Sequence, residues 1–504
     1  MDLGWFSLLL AGLIFQLYNM EELINKIYNI IWSDALVYLC LLTGIYFTIR
    51  FRCPQLMQIR EMIRLLFNGS SSDKGISSFQ AFSLAISGRV GTGNIAGVAT
   101  AIAMGGPGAI FWMWVIAFLG SASAIVEATL GQMYKEVNDG EYRGGPAYYI
   151  LKGLKSKTFA WTFAIVTIIS TGFLLPGVQS NSISSAVESA FQLSPSITGL
   201  AIAGLLAIII IGGVKRISTV AEYVVPFMAG AYILMALVII ALNFTEIPSV
   251  IVLIVKSALN MEATFGAVAG MAISWGVKRG IYSNEAGQGT APHAAAAAEV
   301  SHPIKQGLVQ GFSVYVDTMF VCTATALMIL FTGQYNVENP AGGFIVQHLP
   351  ATEMGPAFTQ QAVSHHFPTI GNAFVALALA FFAFTTIMAY YYIAETNISF
   401  VSRKKQHKTV LIWVLRLLIL ASTYVGCIST AKSAWTLGDI GVGLMAWLNL
   451  IAILLLHKKV LSIYADYRRQ QKSKQDPVFD SSKFQFPNLD LWSKKNIKQN
   501  ESID

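Results

Sequence analysis

Long apolar segments recur along most of this chain, and they limit the folds that are open to it. We count eleven such segments between residues 35 and 456. A helix of roughly 20 mainly apolar residues is needed to cross a bilayer core about 30 Å thick. Because backbone groups inside a bilayer must bond to one another, apolar segments of this length cross it as helices. The sequence therefore predicts an all-α integral membrane protein with about eleven transmembrane helices.

The composition supports this fold class. Of the 504 residues, 54% are hydrophobic and only 12% are charged, whereas soluble domains carry about 25% charged residues. So little charge cannot cover the surface of a water-soluble protein of this length. The four cysteines have neither the spacing of a metal site nor that of a disulfide framework.

The predicted spans divide into one extra helix and two sets of five. The extra helix covers residues 35–49 of a transmembrane domain that extends over residues 35–456. The first set, repeat one, lies within residues 79–242 and comprises the spans 79–104, 109–130, 159–178, 197–212 and 224–242. The second set, repeat two, lies within residues 265–456 and comprises the spans 265–281, 312–331, 370–393, 410–427 and 440–456.

The two ends of the chain are expected to lie outside the bilayer core. Residues 1–34 form a predicted extracellular or interfacial segment, in which Met20 is an alternative to Met1 as the start of translation. Residues 457–504 are charged and poor in apolar periodicity. This pattern is typical of a partly disordered tail, and we expect the tail to be cytoplasmic.

The distribution of basic residues predicts the orientation. Cytoplasmic connections of membrane proteins are enriched in Lys and Arg. With the N-terminus outside, the outside regions hold only Lys26, Lys256 and Lys432, whereas the inside connections and the tail hold clusters of basic residues. The net charge of +7 therefore indicates a multi-pass protein of the cell membrane with a cytoplasmic C-terminus. It does not indicate a nucleic-acid partner.

Two of the apolar segments are interrupted by glycine and polar residues. They are AISGRVGTGNIAGVA at residues 85–99, in span two, and ISWGVKRGIYSNEAGQGTAP at residues 273–292, in span seven. Glycine weakens a helix by about 1 kcal/mol relative to alanine, and unwound backbone at membrane depth lines a cavity or is buried in protein. Each interrupted span begins a set of five, as in carriers built from two inverted repeats. The pair favours a transport site, although glycines for tight helix packing would explain either segment alone.

Four stretches carry a resemblance to a known family. They are GGPGAIFWMWVIAFLG at residues 105–120, YRGGPAYYI at 142–150, GVQSNSI at 177–183 and SNEAGQGTAPHAAAA at 283–297. They resemble the sodium:alanine, or alanine/glycine:cation, symporter family, and the likeness covers nearly all of the transmembrane core. The resemblance implies a LeuT-like 5+5 inverted repeat with two broken helices plus one extra N-terminal helix. It also implies a secondary active symporter that imports a small neutral amino acid, alanine or glycine, with sodium as the coupling ion and no other cofactor.

The resemblance implies a substrate site at the two breaks. VGTGN at residues 90–94 is similar to the unwound first core helix of LeuT-type carriers, whose N–H groups hold the substrate carboxylate. Polar side chains near the end of span four would also contact the substrate, and a tryptophan and a glycine at the second break would form the pocket wall. The substrate-binding residues expected on this basis are Gly91, Thr92, Gly93, Asn94, Gln179, Asn181, Trp275 and Gly276.

The resemblance also implies a sodium site between spans two and nine. The carbonyl groups of Ser87 and Val90 would face the ion, and the hydroxyl groups of Thr385 and Thr386 would complete the site. A hard cation takes an all-oxygen shell, which carbonyl and hydroxyl groups supply without fixed charge. A threonine pair is otherwise common in helices, because each hydroxyl can bond back to its own helix.

Charged residues inside the spans are further candidates, because ionisable groups within a bilayer are costly and often functional. Arg89 lies on the inner half of span two. We expect it to pair with Glu127 or Asp317 as part of a cytoplasmic gate.

Other functions have weaker support. His293, Glu299 and His302 do not have the HExxH spacing of a zinc enzyme, so the chain is not expected to be an enzyme. The stretch HAAAAAE that begins at His293 is expected to form a helix at the cytoplasmic surface. An ion channel and a membrane receptor remain alternatives of another class. Within the transporter class, glutamine as substrate and protons as coupling ion remain open, as does the oligomeric state.

Overall fold

The computed structural model describes residues 21–67, 69, 71–350, 352–402 and 404–492. Most of these residues are helical, and two short hairpins are the strands among them. Residues 1–20, which include the first part of the predicted N-terminal segment and the alternative start at Met20, lie outside the described part.

The extra helix precedes the two repeats. Helix α1 covers residues 21–31, and α2 covers Asp34–Arg50. The chain then reverses and forms the short helices α3, Pro54–Met57, and α4, Ile59–Phe67. Helix α2 packs against the long helices α7 and α21 that are described below.

Repeat one begins with a broken helix. Helix α5 covers Ser78–Arg89 and starts with a capping box, in which Ser77 Oγ accepts from Gln80 N over 3.1 Å and Gln80 Oε1 accepts from Ser77 N over 3.1 Å. The helix stops at Arg89. The chain resumes as a π-helical turn at Gly93–Gly97 and continues as α6, Val98–Gly105. Residues 90–92 therefore form the first break.

The rest of repeat one contains three long helical spans, one shorter apolar helix and a hairpin of β1, Glu136–Asn138, with β2, Glu141–Arg143. Its helices are α7 at Gly108–Met133, α8 at Pro146–Tyr149, α9 at Lys157–Ile169, α10 at Leu175–Phe191, α11 at Pro195–Ile210 and α12 at Gly213–Leu242. A π-helical turn at Ser170–Leu174 joins α9 to α10. The helix therefore extends 13 residues beyond the predicted span end at 178, because its polar residues are buried against α20.

Repeat two also begins with a broken helix. Helix α13, Ile247–Ala258, lies in a region for which the sequence analysis predicted no helix. A 3₁₀ segment at Ala263–Val268 leads into α14, Ala269–Asn284, and the stretch Ala263–Asn284 is bent by 46° from Phe244–Ala258. The chain is unwound at residues 285–290 and resumes as α15, Ala291–Ala297. This second break lies at the end of the interrupted stretch that the sequence indicated.

The remaining elements complete repeat two, with a hairpin of β3, Asn336–Glu338, and β4, Phe344–Gln347. Its helices are α16 at Pro303–Tyr315, α17 at Thr323–Thr332, α18 at Pro356–His366, α19 at Gly371–Val401, α20 at Lys405–Ile428 and α21 at Ala431–Lys472. A π-helical turn at Val316–Cys322 joins α16 to α17 in one span.

The described part of the chain contains 8 helices that are long and apolar enough to cross a membrane, and the bent pair of α13 and α14 makes up to 9. Two apolar helices, Gly93–Gly105 and Pro195–Ile210, are shorter than a full span. They occupy the places of predicted spans two and five, so the structure is compatible with eleven spans.

The predicted tail is folded over residues 457–492, and the rest of it lies outside the described residues. Helix α21 continues to Lys472, and the chain remains ordered to Trp492. Phe479 is completely buried, and its ring contacts His302 and Trp492 with centroid distances of 5.4 Å each. The indole Nε1 of Trp492 donates to the carbonyl of Gln132 at the end of α7 over 3.1 Å. Aromatic residues thus attach a segment that its composition alone would leave disordered.

Candidate functional site

The first break is buried, in contact with three other helices. A Cβ atom on Gly91 would lie 2.5 Å from Thr386 Oγ1 of α19 and 2.9 Å from Gln179 Oε1 of α10. A Cβ atom on Gly93 would lie 2.9 Å from the Cα atom of Ser283, near the end of α14. Two glycines therefore let α10, α14 and α19 approach the unwound backbone more closely than any side chain would permit.

The unwound segment has backbone donors that bond to side-chain amides. The N–H group of Gly91 donates to Asn94 Oδ1 over 2.8 Å, and that of Thr92 donates to Gln179 Oε1 over 3.0 Å. Both acceptors, Asn94 and Gln179, are buried, and the Thr92 hydroxyl has no hydrogen-bond partner among the described residues. The structure thus brings four of the predicted substrate residues together with Gln179 at one point.

Several neutral oxygen atoms lie where α19 meets the first break. Thr386 Oγ1 lies 2.9 Å from the carbonyl oxygen of Ser87 and 3.4 Å from that of Val90. It also lies 3.0 Å from the carbonyl oxygen of Phe382, which accepts from Thr385 Oγ1 over 2.9 Å. The four predicted sodium residues therefore lie together. Phe382 adds a fifth oxygen atom, which sequence reasoning missed because a carbonyl ligand has no side-chain signature.

This oxygen cluster fits a hard monovalent cation better than a transition metal. Carbonyl and hydroxyl oxygens are the ligands that such cations prefer. Among the described residues there is no group of three or more His, Cys, Asp or Glu side chains that could hold a metal ion. The donor set therefore agrees with the sodium site that the resemblance implies, and ion binding at these residues stays a prediction.

A buried carboxyl group connects the first break to the end of α14. Asp317, in the π-helical turn after α16, accepts from Asn94 Nδ2 over 2.6 Å and from Ser283 Oγ over 3.0 Å. The hydroxyl of the neighbouring Thr318 donates to it over 2.6 Å. π-Helical turns inside α-helices are frequent at functional sites. This turn directs the Asp317 side chain towards Asn94, and sequence reasoning gave Asp317 a different partner.

The second break is held by Glu127 of α7. The N–H group of Gly287 donates to Glu127 Oε1 over 3.2 Å, and that of Gly289 donates to Oε2 over 3.1 Å. Both glycines are left-handed, with φ of 81° and 89°, a conformation that other residues adopt at a cost. Asn449 of α21 also donates to Glu127, over 2.6 Å. Glu127 thus stabilises the unwound backbone of repeat two.

Arg89 forms no direct ion pair with Glu127 or Asp317 among the described residues, although the charges of both acids act on it. Arg89 donates to the carbonyl oxygen of Gln310 over 3.0 Å and to the hydroxyl of Ser313, both on α16. Both predicted acids bond to other donors instead.

A buried ion pair that sequence reasoning did not predict joins α14 to α21. Arg279 donates to both carboxylate oxygens of Asp439, over 3.0 and 2.6 Å. Its guanidinium carbon also lies 4.5 Å from the ring centroid of Trp435. The two charged residues are far apart in the sequence, and no local motif relates them.

Three predicted substrate residues lie away from the breaks. Asn181 donates to the carbonyl oxygens of Gly426 and Ser429 at the end of α20. Trp275 and Gly276 were expected at the second break, but α14 is continuous through both residues, so this placement is wrong. A Cβ atom on Gly276 would lie 2.5 Å from the carbonyl oxygen of Ala109, which indicates a glycine for tight packing against α7.

A family model described as the sodium:alanine symporter family matches residues 17–481 of this chain. The chain belongs to the sodium:alanine symporter family. As a member of this family it is a multi-pass membrane transporter and not an enzyme, with sodium as the coupling ion.

Three relatives are similar over most of the chain. The "Putative sodium/proton-dependent alanine carrier protein YrbD" of Bacillus subtilis is 56% identical, over 96% of this chain and 100% of its own length. The "Sodium/proton-dependent alanine carrier protein" of Bacillus sp. (strain PS3) is 50% identical, over 86% of this chain and 97% of its own length. The "Probable sodium/glutamine symporter GlnT" of Bacillus subtilis is 44% identical, over 91% of this chain and 93% of its own length.

Among solved structures, the fold is similar to that in the "Crystal structure of MhsT in complex with L-phenylalanine". The two agree with a TM-score of 0.50 over 77% of this chain and 99% of that chain, at 13% identity. This likeness concerns the fold alone. The predicted all-α, LeuT-like fold is thereby confirmed, and the predicted count of two five-helix repeats plus one extra helix is compatible with the structure.

Proposed function

We propose that this family member imports alanine or glycine together with sodium, and that both bind at the first break. The observation that carries the proposal is the position of Thr386 Oγ1. This atom bonds to the carbonyl oxygen of Ser87 over 2.9 Å, and Gly91 of the break packs against the same side chain. An oxygen cluster for a cation and a row of backbone donors for a carboxylate are therefore adjacent.

The carbonyl groups of the broken helix can coordinate a sodium ion. The carbonyl oxygens of Ser87 and Val90 belong to α5 and the break, whereas Thr385, Thr386 and the carbonyl of Phe382 belong to α19. An ion at this place would join the two helices, one from each repeat. Because the site has only neutral ligands, it would not hold a cation strongly enough to prevent release.

The substrate carboxylate would bind to the N–H groups of the break. Gly91 N and Thr92 N now donate to Asn94 and Gln179, and the Thr92 hydroxyl is buried without a partner. A carboxylate could accept from the Thr92 N–H group and hydroxyl if the Gln179 side chain turned away, and from the Gly91 N–H group if Asn94 turned away as well. Gln179 would then be free to bond to the substrate, and the close packing of Gly91 and Gly93 favours a substrate with a small side chain.

The two ligands would be coupled through the backbone of the break. Val90 would offer its carbonyl group to the ion, and two residues later Thr92 would offer its N–H group to the substrate. Ordering this short segment for one ligand lowers the cost of ordering it for the other, and such coupling is reciprocal. Differential binding of the pair can then shift the balance between outward-facing and inward-facing states.

The proposal includes an orientation and a substrate choice. The N-terminus would lie outside and the C-terminus in the cytoplasm, as the distribution of basic residues predicts. Alanine is favoured because the relatives at 56% and 50% identity are both named as alanine carriers. Glutamine is the alternative because the relative at 44% identity is named as a glutamine symporter.

The test is uptake of labelled alanine, glycine and glutamine into proteoliposomes of the full chain. Each substrate is measured with an inward sodium gradient, with an inward proton gradient and with neither. Sodium-driven uptake of alanine or glycine is the expected result. Uptake that follows only the proton gradient would contradict sodium coupling, and sodium-driven uptake of glutamine alone would contradict the substrate choice.

A further inference from the structure

A cavity lies between the ends of α2 and α21. Its volume is about 660 Å³. Arg50 and Arg52 line it from the end of α2, and Arg468 and Lys472 line it from the last turns of α21. Four cationic side chains from two distant parts of the chain thus face one space.

Among the residues that the structure describes, no acidic side chain lines this cavity. The nearby acids of α4 and α21 have other partners within the described part of the chain. Glu61 bonds to Arg64 over 2.6 Å and accepts from Tyr467 over 2.7 Å, and Asp466 accepts from Gln470 over 2.7 Å. The described residues that line the cavity therefore leave its positive charge unbalanced, and an anionic ligand would balance it.

The cavity also has an apolar wall. Ile49 and Met57 line it and are each 69% exposed, and Phe51 and Tyr464 form a buried aromatic pair at 5.6 Å beside them. In a membrane-spanning protein, exposed apolar side chains of this kind contact acyl chains. A small inorganic anion would leave this wall uncovered, whereas an amphiphile would cover it.

The backbone at the end of α2 fixes the arginines in place. Arg52 and Cys53 have a left-handed backbone conformation, with φ of 58° and 50°. Residues other than glycine adopt this conformation at a cost of about 1 kcal/mol or more. The turn is held by Cys53 N donating to Thr48 O over 2.7 Å and by Gln55 Nε2 donating to Thr48 Oγ1 over 2.7 Å. A strained turn that is held this firmly keeps Arg50 and Arg52 on the same side of the helix end as the cavity.

From the four cations, the apolar wall and the held turn, we propose that this cavity binds one anionic phospholipid of the cytoplasmic leaflet. The phosphate group lies among Arg50, Arg52, Arg468 and Lys472, and the acyl chains lie along Ile49 and Met57. Basic pockets between transmembrane helices on the cytoplasmic side have this role in other membrane proteins. The inference rests on the proposed orientation, which places the ends of α2 and α21 at the cytoplasmic surface, and it is independent of the transported substrate.

The test is native mass spectrometry of the purified full chain with added phosphatidylglycerol or phosphatidylcholine of the same acyl chains. The expected result is preferential retention of one phosphatidylglycerol molecule. Replacing all four cavity cations by glutamine should weaken this retention at least about tenfold. A matched control removes four exposed cations elsewhere on the predicted cytoplasmic side, namely Arg60→Gln, Lys74→Gln, Lys157→Gln and Arg216→Gln, and should leave retention unchanged.

Three results would overturn the proposal. They are equal retention of both lipids, equal loss in the control variant, and displacement of phosphatidylglycerol by millimolar inorganic phosphate, which would indicate a site for a free anion. If the fourfold variant does not fold, as judged by its elution in size-exclusion chromatography, the double variant Arg468→Gln with Lys472→Gln takes its place. Alanine uptake measured on the same preparations keeps the lipid question separate from the question of transport.

Discussion

At the scale of single residues, the close packing around Gly91 places the strictest limit on which residue the site can accept. The neighbours of Gly91 leave no room for a Cβ atom, which would lie 2.5 Å from Thr386 Oγ1. The substitution Gly91→Ala should therefore displace α19 from the break and reduce alanine uptake at least about tenfold. The control is Gly270→Ala in α14, where a Cβ atom would have no neighbour within 4 Å. Equal uptake by the two variants would show that close approach at Gly91 is not needed.

Sequence reasoning found the residues of the first break because glycines and polar residues inside an apolar segment are conspicuous. It did not find the carbonyl of Phe382, which contributes through its backbone. It also misplaced Trp275 and Gly276, because a glycine that packs against a neighbouring helix is indistinguishable in sequence from one that unwinds its own. The role of Glu127 depends on two N–H groups about 160 residues away, and no sequence pattern reports such a contact.

The buried pair of Arg279 with Asp439 should stabilise the protein at the contact of α14 and α21. Removing one partner of a buried ion pair leaves an uncompensated charge and costs about 3–5 kcal/mol. Asp439→Asn should therefore lower the midpoint of thermal unfolding in detergent markedly. The double variant Arg279→Met with Asp439→Leu should recover most of the loss, since an apolar pair of similar volume is often neutral. An unchanged midpoint for Asp439→Asn would contradict this role.

At the scale of elements, the apolar segments located the spans well, because length and hydropathy are properties of local sequence. The prediction failed where neighbouring elements determine the outcome. The polar end of α10 stays helical because α20 covers it, and α13 forms where no span was expected. The tail is ordered to Trp492 because it has a surface to bind, formed by Ser301, His302 and Gln132.

The docked tail should loosen in acid. Burial, and then the charges of Lys305 and Lys483, lower the pKa of His302 from 6.5 to about 3. A histidine with a lowered pKa stabilises the docked state above pH 6.5 and loses that contribution as the pH falls towards 3, because the released form binds a proton more readily. Between pH 6.5 and 5 the free energy that favours tail docking should fall by about 2 kcal/mol, if release of the tail restores the ordinary pKa of His302.

Hydrogen exchange of residues 476–492, corrected for the intrinsic effect of pH, measures the docking. Protection should be lower at pH 5 than at pH 7.5, and His302→Gln should remove the difference. Phe479→Ala should abolish protection at both pH values, whereas Val478→Ala, at a side chain that is 48% exposed, should not. Equal protection of the unaltered chain at both pH values would contradict the role of His302.

At the scale of the whole molecule, the orientation is a prediction from charge distribution. A variant without the four native cysteines can carry one new cysteine, either Lys432→Cys or Lys157→Cys. A maleimide that does not cross membranes should label the first on intact cells and the second only after the membrane is opened. The reverse pattern would invert the orientation and would also place the anionic-lipid cavity on the outer surface.

The central claim is that sodium and substrate bind together at the first break, and the sodium dependence of alanine uptake by Thr386→Ala tests it most directly. The variant removes an oxygen atom that lies 2.9 Å from the Ser87 carbonyl. We predict that the half-saturating sodium concentration rises at least about tenfold, a loss of about 1.4 kcal/mol, while uptake at saturating sodium remains measurable. Thr332→Ala, which removes a hydroxyl that bonds to the carbonyl groups of its own helix, should keep the original dependence. An unchanged sodium dependence in Thr386→Ala would remove this residue from the ion site and contradict the account.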